Sequence, residues 1–241
     1  MMPTDDTSDL AHQVHIRSFD LDPGPAKVAQ YAACLNDAER ERASRFRFER
    51  HSRRFVVARG VLRSILATYA GCDPAAICFA YGTHGKPRIA GPARGYHLEF
   101  SLSHCNEMGA VAITLNDALG LDIEQARPHT DYALIASNEF TDEEKTWLKA
   151  VPEPMRADAF LELWTCKEAY LKGKGVGLSI PLREFSIAWD EAGQPRLAWS
   201  RIDSHDTQRW HLHRVLIEPR CIGCLALSGR SRGIHLASWP A

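Results

Sequence analysis

The sequence predicts an α+β fold built as two related halves in one chain. Three observations carry this: short alternating apolar runs recur along the chain, stretches of helical apolar spacing stand between them, and the order is loosely repeated after the turn pair Asn116-Asp117. The division falls between residues 1–117 and residues 118–241. At 241 residues, 45% hydrophobic and 24% charged, the chain has ordinary globular composition and enough length for a substantial core. Disordered and collagen-like classes are thereby excluded. Identity between the halves is too weak to establish duplication, and no repeat of solenoid period is present.

Residues 14–20 alternate as a strand, and Pro23, Gly24 and Pro25 interrupt the chain before a helix predicted over 26–35. A second helical region is expected over 37–48. Phe55, Val57, Val61, Leu62, Ile65 and Leu66 recur at helical spacing with Gly71 as a stop signal, so a third helix is expected in the core. A turn over 82–87 follows, then strands over 98–103 and 109–115. An acidic strand through Asp122 opens the second half. Thr141 with Glu144 three positions on reads as a capping box for the next helix, and a longer helix is expected over 156–172. Strands near 185–189, 210–217 and 221–227 complete the pattern.

The formal net charge of −1 gives no global attraction to nucleic acid or to an anionic membrane, so any anion binding must be local. No apolar run approaches the roughly 18 residues of a membrane span. Residues 1–10 carry Asp5, Asp6 and Asp9 and lack the basic and apolar regions of a secretory signal. The seven cysteines are odd in number and scattered from Cys34 to Cys224, which fits a reducing compartment rather than a disulfide framework. A cytoplasmic location is expected. Cys221 and Cys224 form a CxxC, but within an alternating apolar run, and read as part of a core strand.

Two segments concentrate the chemistry. In Gly120-Leu121-Asp122-Ile123-Glu124 the two carboxylates lie two apart, so a strand turns both to one face. In Trp164-Thr165-Cys166-Lys167-Glu168-Ala169-Tyr170-Leu171-Lys172, Glu168 and Lys172 lie four apart and share one face of a helix. Three carboxylates without a nearby Cys or His pair suit magnesium, a hard cation with oxygen ligands, better than zinc; manganese accepts the same donors. Phe160 and Trp164 read as packing that fixes this helix. Gly173, Gly175 and Gly177 read as a flexible turn near a partner surface, since they follow a helix rather than open one.

Four segments stand in order: Gly85-Lys86-Pro87, Phe100-Ser-Leu-Ser-His104, the acidic strand, and the helix from Phe160 to Lys172 with its glycine tail. Together they strongly resemble the 4′-phosphopantetheinyl transferases of the broad-specificity, surfactin-synthetase-activating (Sfp) type. The resemblance covers roughly residues 35–230. It implies a pseudo-dimer of two similar α/β halves with coenzyme A in the cleft between them, working as a monomer. The implied reaction moves the 4′-phosphopantetheine arm of coenzyme A to a serine of an apo acyl or peptidyl carrier protein and releases 3′,5′-ADP, as a holo-carrier-protein synthase does. The implied cofactor is Mg2+.

Carried over by the resemblance, Asp122, Glu124 and Glu168 hold the magnesium, and Ser103 and His104 contact the coenzyme A phosphates. Lys86 and Lys172 are the candidate pyrophosphate cations, with Lys167 as a further one. Nine arginines against two glutamates between Arg40 and Arg63 form the densest local charge in the chain. Arg42, Arg54 and Arg59 are the candidates for the 3′-phosphate and adenine end, because guanidinium forks bind phosphate bidentately; a solvated helix face is the competing reading. The nucleophile belongs to the partner, so Ser103 is not read as a catalytic serine, and Glu168 is the candidate general base. Asp122 and Lys172 complete the catalytic set. A non-catalytic coenzyme A or nucleotide-binding regulatory module is the alternative. A nucleic-acid binder is less favoured, because interleaved exposed aromatics are not expected in the arginine segment and it has no recognised binding motif.

Overall fold

Helices and strands follow one another much as the apolar spacing predicts; this computed structural model describes residues 9–90, 97–218 and 221–240. The reading of residues 1–8 lies outside the described residues. Strand β1 (Gln13–Asp20) leads into helix α1 (Pro25–Ala33), which opens on proline, a residue whose missing N–H is no loss at a helix start. Helix α2 (Asp37–Ser44) begins with a capping box: Asn36 Oδ1 accepts from the Glu39 amide at 2.9 Å and Glu39 Oε2 from the Asn36 amide at 3.1 Å. The region expected as one helix over 37–48 ends early. Ser52 Oγ donates to the Ala43 carbonyl at 2.7 Å, closing α2, and Phe48 is extended before helix α3 (Glu49–Ala70) begins. Helix α3 stops at Gly71, which takes the left-handed φ of 65° that glycine adopts without strain.

A hairpin of β2 (Phe79–Tyr81) and β3 (Pro87–Ile89) surrounds the predicted turn, followed by β4 (Leu98–Cys105), β5 (Met108–Leu115) and β6 (Leu119–Glu124). The second half continues with α4 (Tyr132–Glu139), α5 (Asp142–Ala150) and α6 (Arg156–Lys174), then β7 (Phe185–Trp189) and β8 (Pro195–Ser200). A one-turn α7 (Asp206–Arg209) precedes β9 (Trp210–Ile217), β10 (Cys221–Ser228) and β11 (Gly233–Ser238). Thr141 and Glu144 form the expected capping box on α5, with Glu144 Oε2 accepting from the Thr141 amide at 2.9 Å. Helix α4 and strands β8 and β11 were not anticipated, being short and without strong periodicity.

One sheet has the order β11-β1-β5-β4 and a second the order β6-β10-β9. Their meeting edges, β4 and β6, are joined by side chains: Ser101 Oγ accepts from the Leu121 amide at 3.0 Å and Ser103 Oγ from the Ile123 amide at 3.3 Å. Alternation along β6 sends Leu119, Leu121 and Ile123 into one buried cluster with Val14, Ile16, Ala110, Val215 and Leu225, which belong to both sheets. The opposite face of β6, with Gly120, Asp122 and Glu124, is left for α6. Burying each such aliphatic side chain stabilises by about 1.5–3 kcal/mol, so this shared core fixes the sheets against each other. Strand β11 runs parallel to β1. Chain order puts β11 in the second half, but its hydrogen bonds put it in the first sheet.

Candidate active site

The approach of β6 to α6 is set by a glycine. A Cβ added at Gly120 would lie 2.0 Å from the Ala169 carbonyl oxygen and 2.3 Å from the Gly173 nitrogen, so only glycine permits this contact. With the backbones this close, Lys172 reaches across from α6 and its Nζ donates to Asp122 Oδ1 at 2.6 Å and to Ser103 Oγ at 3.1 Å. Ser103 Oγ in turn donates to Asp122 Oδ1 at 3.0 Å. Strands β4 and β6 and helix α6 are thus tied at one point.

Around that point is a cavity of about 280 Å³ lined by Leu102, Ser103, His104, Asp122, Glu124, Trp164, Glu168 and Lys172. Burial raises the proton affinity of the Glu168 carboxyl, the Asp122 charge adds to it, and Lys172 opposes. Glu124 is raised likewise, by burial and then by Asp122, with Arg127 and Lys172 opposing. The three carboxyl groups therefore feel one another's charge. A larger cavity of about 1020 Å³ shares Leu102, His104, Glu124 and Lys172 with the first, and continues along Arg42, Arg50, His51, Arg54, Arg59, Tyr81, Lys86 and Arg127. His104 is open to this space yet surrounded by protein, which disfavours its imidazolium, and Lys172 adds to the effect.

The chain that forms this wide cationic cleft and small acidic pocket is similar in sequence to known proteins. A family profile described as the 4′-phosphopantetheinyl transferase superfamily matches residues 118–225, and one described as 4′-phosphopantetheinyl transferase, N-terminal, matches residues 20–116. Over 220 residues the chain is 33% identical to the 4′-phosphopantetheinyl transferase HetI of Nostoc sp., covering 91% of this chain and 90% of that protein. The chain belongs to the 4′-phosphopantetheinyl transferase superfamily. The 4′-phosphopantetheinyl transferase Sfp of Bacillus subtilis is 28% identical, covering 68% of this chain and 71% of its own. A solved structure, holo-[acyl-carrier-protein] synthase from Neisseria meningitidis, aligns with TM-score 0.39 at 18% identity, over 47% of this chain and 98% of its own.

Within this transferase the structure brings together Ser103, His104, Asp122, Glu124, Glu168 and Lys172, and lines the adjoining cleft with Arg42, Arg54, Arg59 and Lys86. Arg42 has no carboxylate partner among the described residues, and its guanidinium lies 5.2 Å from the centre of the Phe55 ring. Arg54 and Arg59 are already engaged. Arg54 pairs with Asp22 and donates to the Asn106 carbonyl at 2.7 Å, while Arg59 pairs with Glu39 at 2.8 Å and donates to Tyr81 Oη at 2.9 Å.

Four expectations change. Lys167 does not face the cleft: it is fully buried, its ammonium pairs with Glu144 at 2.8 Å and donates to the carbonyls of Leu182 and Phe185 at 2.9 and 2.7 Å. The helix turns it about 100° from Glu168, into the core of the second half. Lys86 holds two backbone carbonyls rather than standing free. Trp164 stacks on Phe160, with ring centroids 5.8 Å apart, but also lines the small cavity. Of the three glycines, Gly173 is a buried packing residue within α6, and Gly175, at φ 70°, is its cap.

The CxxC splits, because residues three apart in a strand face opposite sides. Cys221 meets Cys105, the sulfurs 3.0 Å apart, while Cys224 lies in the core packed on α6. His51, Tyr81 and Arg127 are cleft residues the sequence reading missed, and Arg50 belongs to the arginine run without having been singled out. Arg127, three residues after Glu124 and 3.4 Å from it, was the one with a local signal, a base following the acidic strand.

Proposed function

We propose that this transferase moves the 4′-phosphopantetheine arm of coenzyme A to a serine hydroxyl of an apo acyl or peptidyl carrier protein, releasing 3′,5′-ADP. The observation that carries this reading is the convergence of Asp122, Glu124, Glu168 and Lys172 on one small pocket that opens into a cleft lined by arginines. The first half, residues 1–117, would supply the nucleotide contacts and the second, residues 118–241, the acidic pocket.

A divalent cation fits the acidic pocket on two grounds. Asp122 Oδ2 is buried with no hydrogen-bond partner among the described residues, and three mutually repelling carboxyl groups need compensating positive charge. Among the described residues no three or more His, Cys, Asp or Glu stand assembled around one metal position, so these carboxylates would share the cation with waters and substrate oxygens. Asp122, Glu124 and Glu168 would hold it, and manganese accepts the same oxygen donors. When bound, the cation supplies positive charge against the negative charge growing on the leaving phosphate.

The chain's own groups would do the rest. Arg42, uncompensated at the cleft wall, binds a phosphate of the nucleotide end, with Arg54 and Arg59 beside it. His104, with its proton affinity lowered, is neutral near pH 7 and donates a single N–H to a phosphate oxygen. The partner's serine oxygen forms a bond to the phosphorus next to the pantetheine, the bond from that phosphorus to the ADP oxygen breaks, and the serine proton passes to a base. Glu168, whose proton affinity is raised by burial, is the residue suited to accept it. Lys172 faces the same oxygens as a fixed cation. No helix of the described residues is long and apolar enough to cross a membrane. The seven cysteines, odd in number and scattered along the chain, fit a reducing, cytoplasmic setting, and the shared core between halves lets a single chain form the cleft as a monomer.

The test is to incubate the protein with magnesium, coenzyme A and an apo carrier domain, then weigh the carrier by mass spectrometry. A gain equal to one phosphopantetheine group is expected, abolished by chelator. Binding of coenzyme A with no modification across several carriers would instead leave a non-catalytic binding module.

A further inference from the structure

Lys86 belongs to the first half, in the turn between β2 and β3, yet its ammonium is bound by the second. Its Nζ donates to the Leu119 carbonyl at 2.9 Å and to the Gly173 carbonyl at 3.1 Å. Leu119 is the first residue of β6, the strand of Asp122 and Glu124. Gly173 follows Lys172 on α6, the helix of Glu168.

The two carbonyls are neighbours because β6 and α6 touch backbone to backbone at Gly120. The Gly173 carbonyl also lies in the last turn of α6, where carbonyls have no partner within the helix. The cap of α6 takes the carbonyls of Leu171 and Lys172, through the Gly175 and Val176 amides. Lys86 therefore completes the helix end, and a cation there is favoured by the helix dipole. The lysine stem packs on the same cap: a Cβ at Gly175 would lie 3.5 Å from Lys86 Cδ.

We infer that Lys86 is a positioning residue, a clamp from the first half that holds β6 against α6 in the register that assembles Asp122, Glu124 and Glu168, rather than a ligand of the substrate's phosphates. This rests on the transferase reading above for its effect on turnover, but the clamp itself can be read without turnover.

Three variants and three readouts decide it. Lys86→Met removes the donor, Lys86→Gln keeps a neutral donor, and Lys86→Arg keeps charge and donor. Hydrogen exchange of the amides in residues 119–124 and 171–177, calorimetric binding of coenzyme A without metal, and Mn2+ affinity by electron paramagnetic resonance are measured for each. For Lys86→Met the clamp predicts faster exchange in both segments, Mn2+ affinity weaker by about tenfold or more, and coenzyme A affinity within about twofold of wild type. Lys86→Gln and Lys86→Arg should lie closer to wild type in exchange and Mn2+ affinity.

If Lys86→Met and Lys86→Gln both weaken coenzyme A binding by about tenfold with exchange and Mn2+ affinity unchanged, Lys86 is a phosphate ligand and the clamp is wrong. Should Lys86→Met fail to fold, Lys86→Gln carries the comparison: near-native coenzyme A affinity supports the clamp, and its loss overturns it. A wild-type protein that modifies no carrier removes the transferase reading while the exchange data still decide the clamp.

Discussion

Lys172 Nζ meets Asp122 Oδ1 at 2.6 Å, joining α6 to the acidic strand β6, with Ser103 from the other half hydrogen-bonded to both. This contact is where the second half's acids and the first half's polar edge become one site. Asp122→Asn, which keeps size and an acceptor but removes the charge, should lower transfer by about 10²-fold or more, since each tenfold in rate corresponds to about 1.4 kcal/mol. Transfer rates at saturating coenzyme A check this; a variant within a few-fold of wild type would remove Asp122 from the reaction.

Glu168 gives a pH dependence with a definite sign. Its carboxyl binds a proton more tightly in the folded chain than at its ordinary value of 4.5, so as pH falls from neutral the folded state takes up the proton before the unfolded state does. This group therefore weakens the metal-free fold at neutral pH, and that loss disappears as pH falls through the raised value toward 4.5. Glu168→Gln should raise the metal-free Tm near pH 7, by about 2–4 °C for each kcal/mol regained, with the gain vanishing near pH 4.5. Thermal melts of both proteins across pH, without divalent cations, test it. A destabilised Glu168→Gln at pH 7 would contradict the charge crowding.

Lys167 sits beside Glu168 in sequence and should behave as a core residue. Lys167→Met leaves the Glu144 carboxylate buried without its cation, a defect of about 3–5 kcal/mol. Chemical denaturation should show this loss, while the coenzyme A KM of whatever protein remains folded stays near wild type. An unchanged stability with a raised KM would return Lys167 to the cleft.

Arg42 should show the opposite pattern. It is exposed, has no carboxylate partner among the described residues and faces the cleft, so Arg42→Ala should leave Tm within a degree or two and raise the coenzyme A KM about tenfold. Comparing coenzyme A with its analogue lacking the 3′-phosphate shows whether the lost contact is to that group. Equal sensitivity of both substrates would place Arg42 elsewhere on the nucleotide.

Thiol reactivity should follow burial. Cys72 and Cys78 are exposed, whereas Cys105, Cys166, Cys221 and Cys224 are buried. A small alkylating reagent should label the first two in the native protein and the other four only after denaturant, read by peptide mass mapping. Rapid native labelling at Cys221 would mean that the strands bearing Cys105 and Cys221 open readily.

Local rules in the sequence determined a good deal. Alternation placed Asp122 and Glu124 on one face of β6, four-residue spacing placed Glu168 and Lys172 on one face of α6, and Thr141 with Glu144 marked a helix start. Each of these depends only on the two- or 3.6-residue period of a backbone or on a bond between near neighbours. Only the tertiary structure decided which lysines face the cleft and which sheet owns β11. Lys86 and Lys167 look alike as a sequence of residue types, yet one caps a helix from the other half and the other neutralises Glu144 in the core. A long flexible cation takes whichever acceptors the fold leaves unsatisfied near it, and those acceptors lie 15 to 87 residues away along the chain. That distance is why no local pattern could name them.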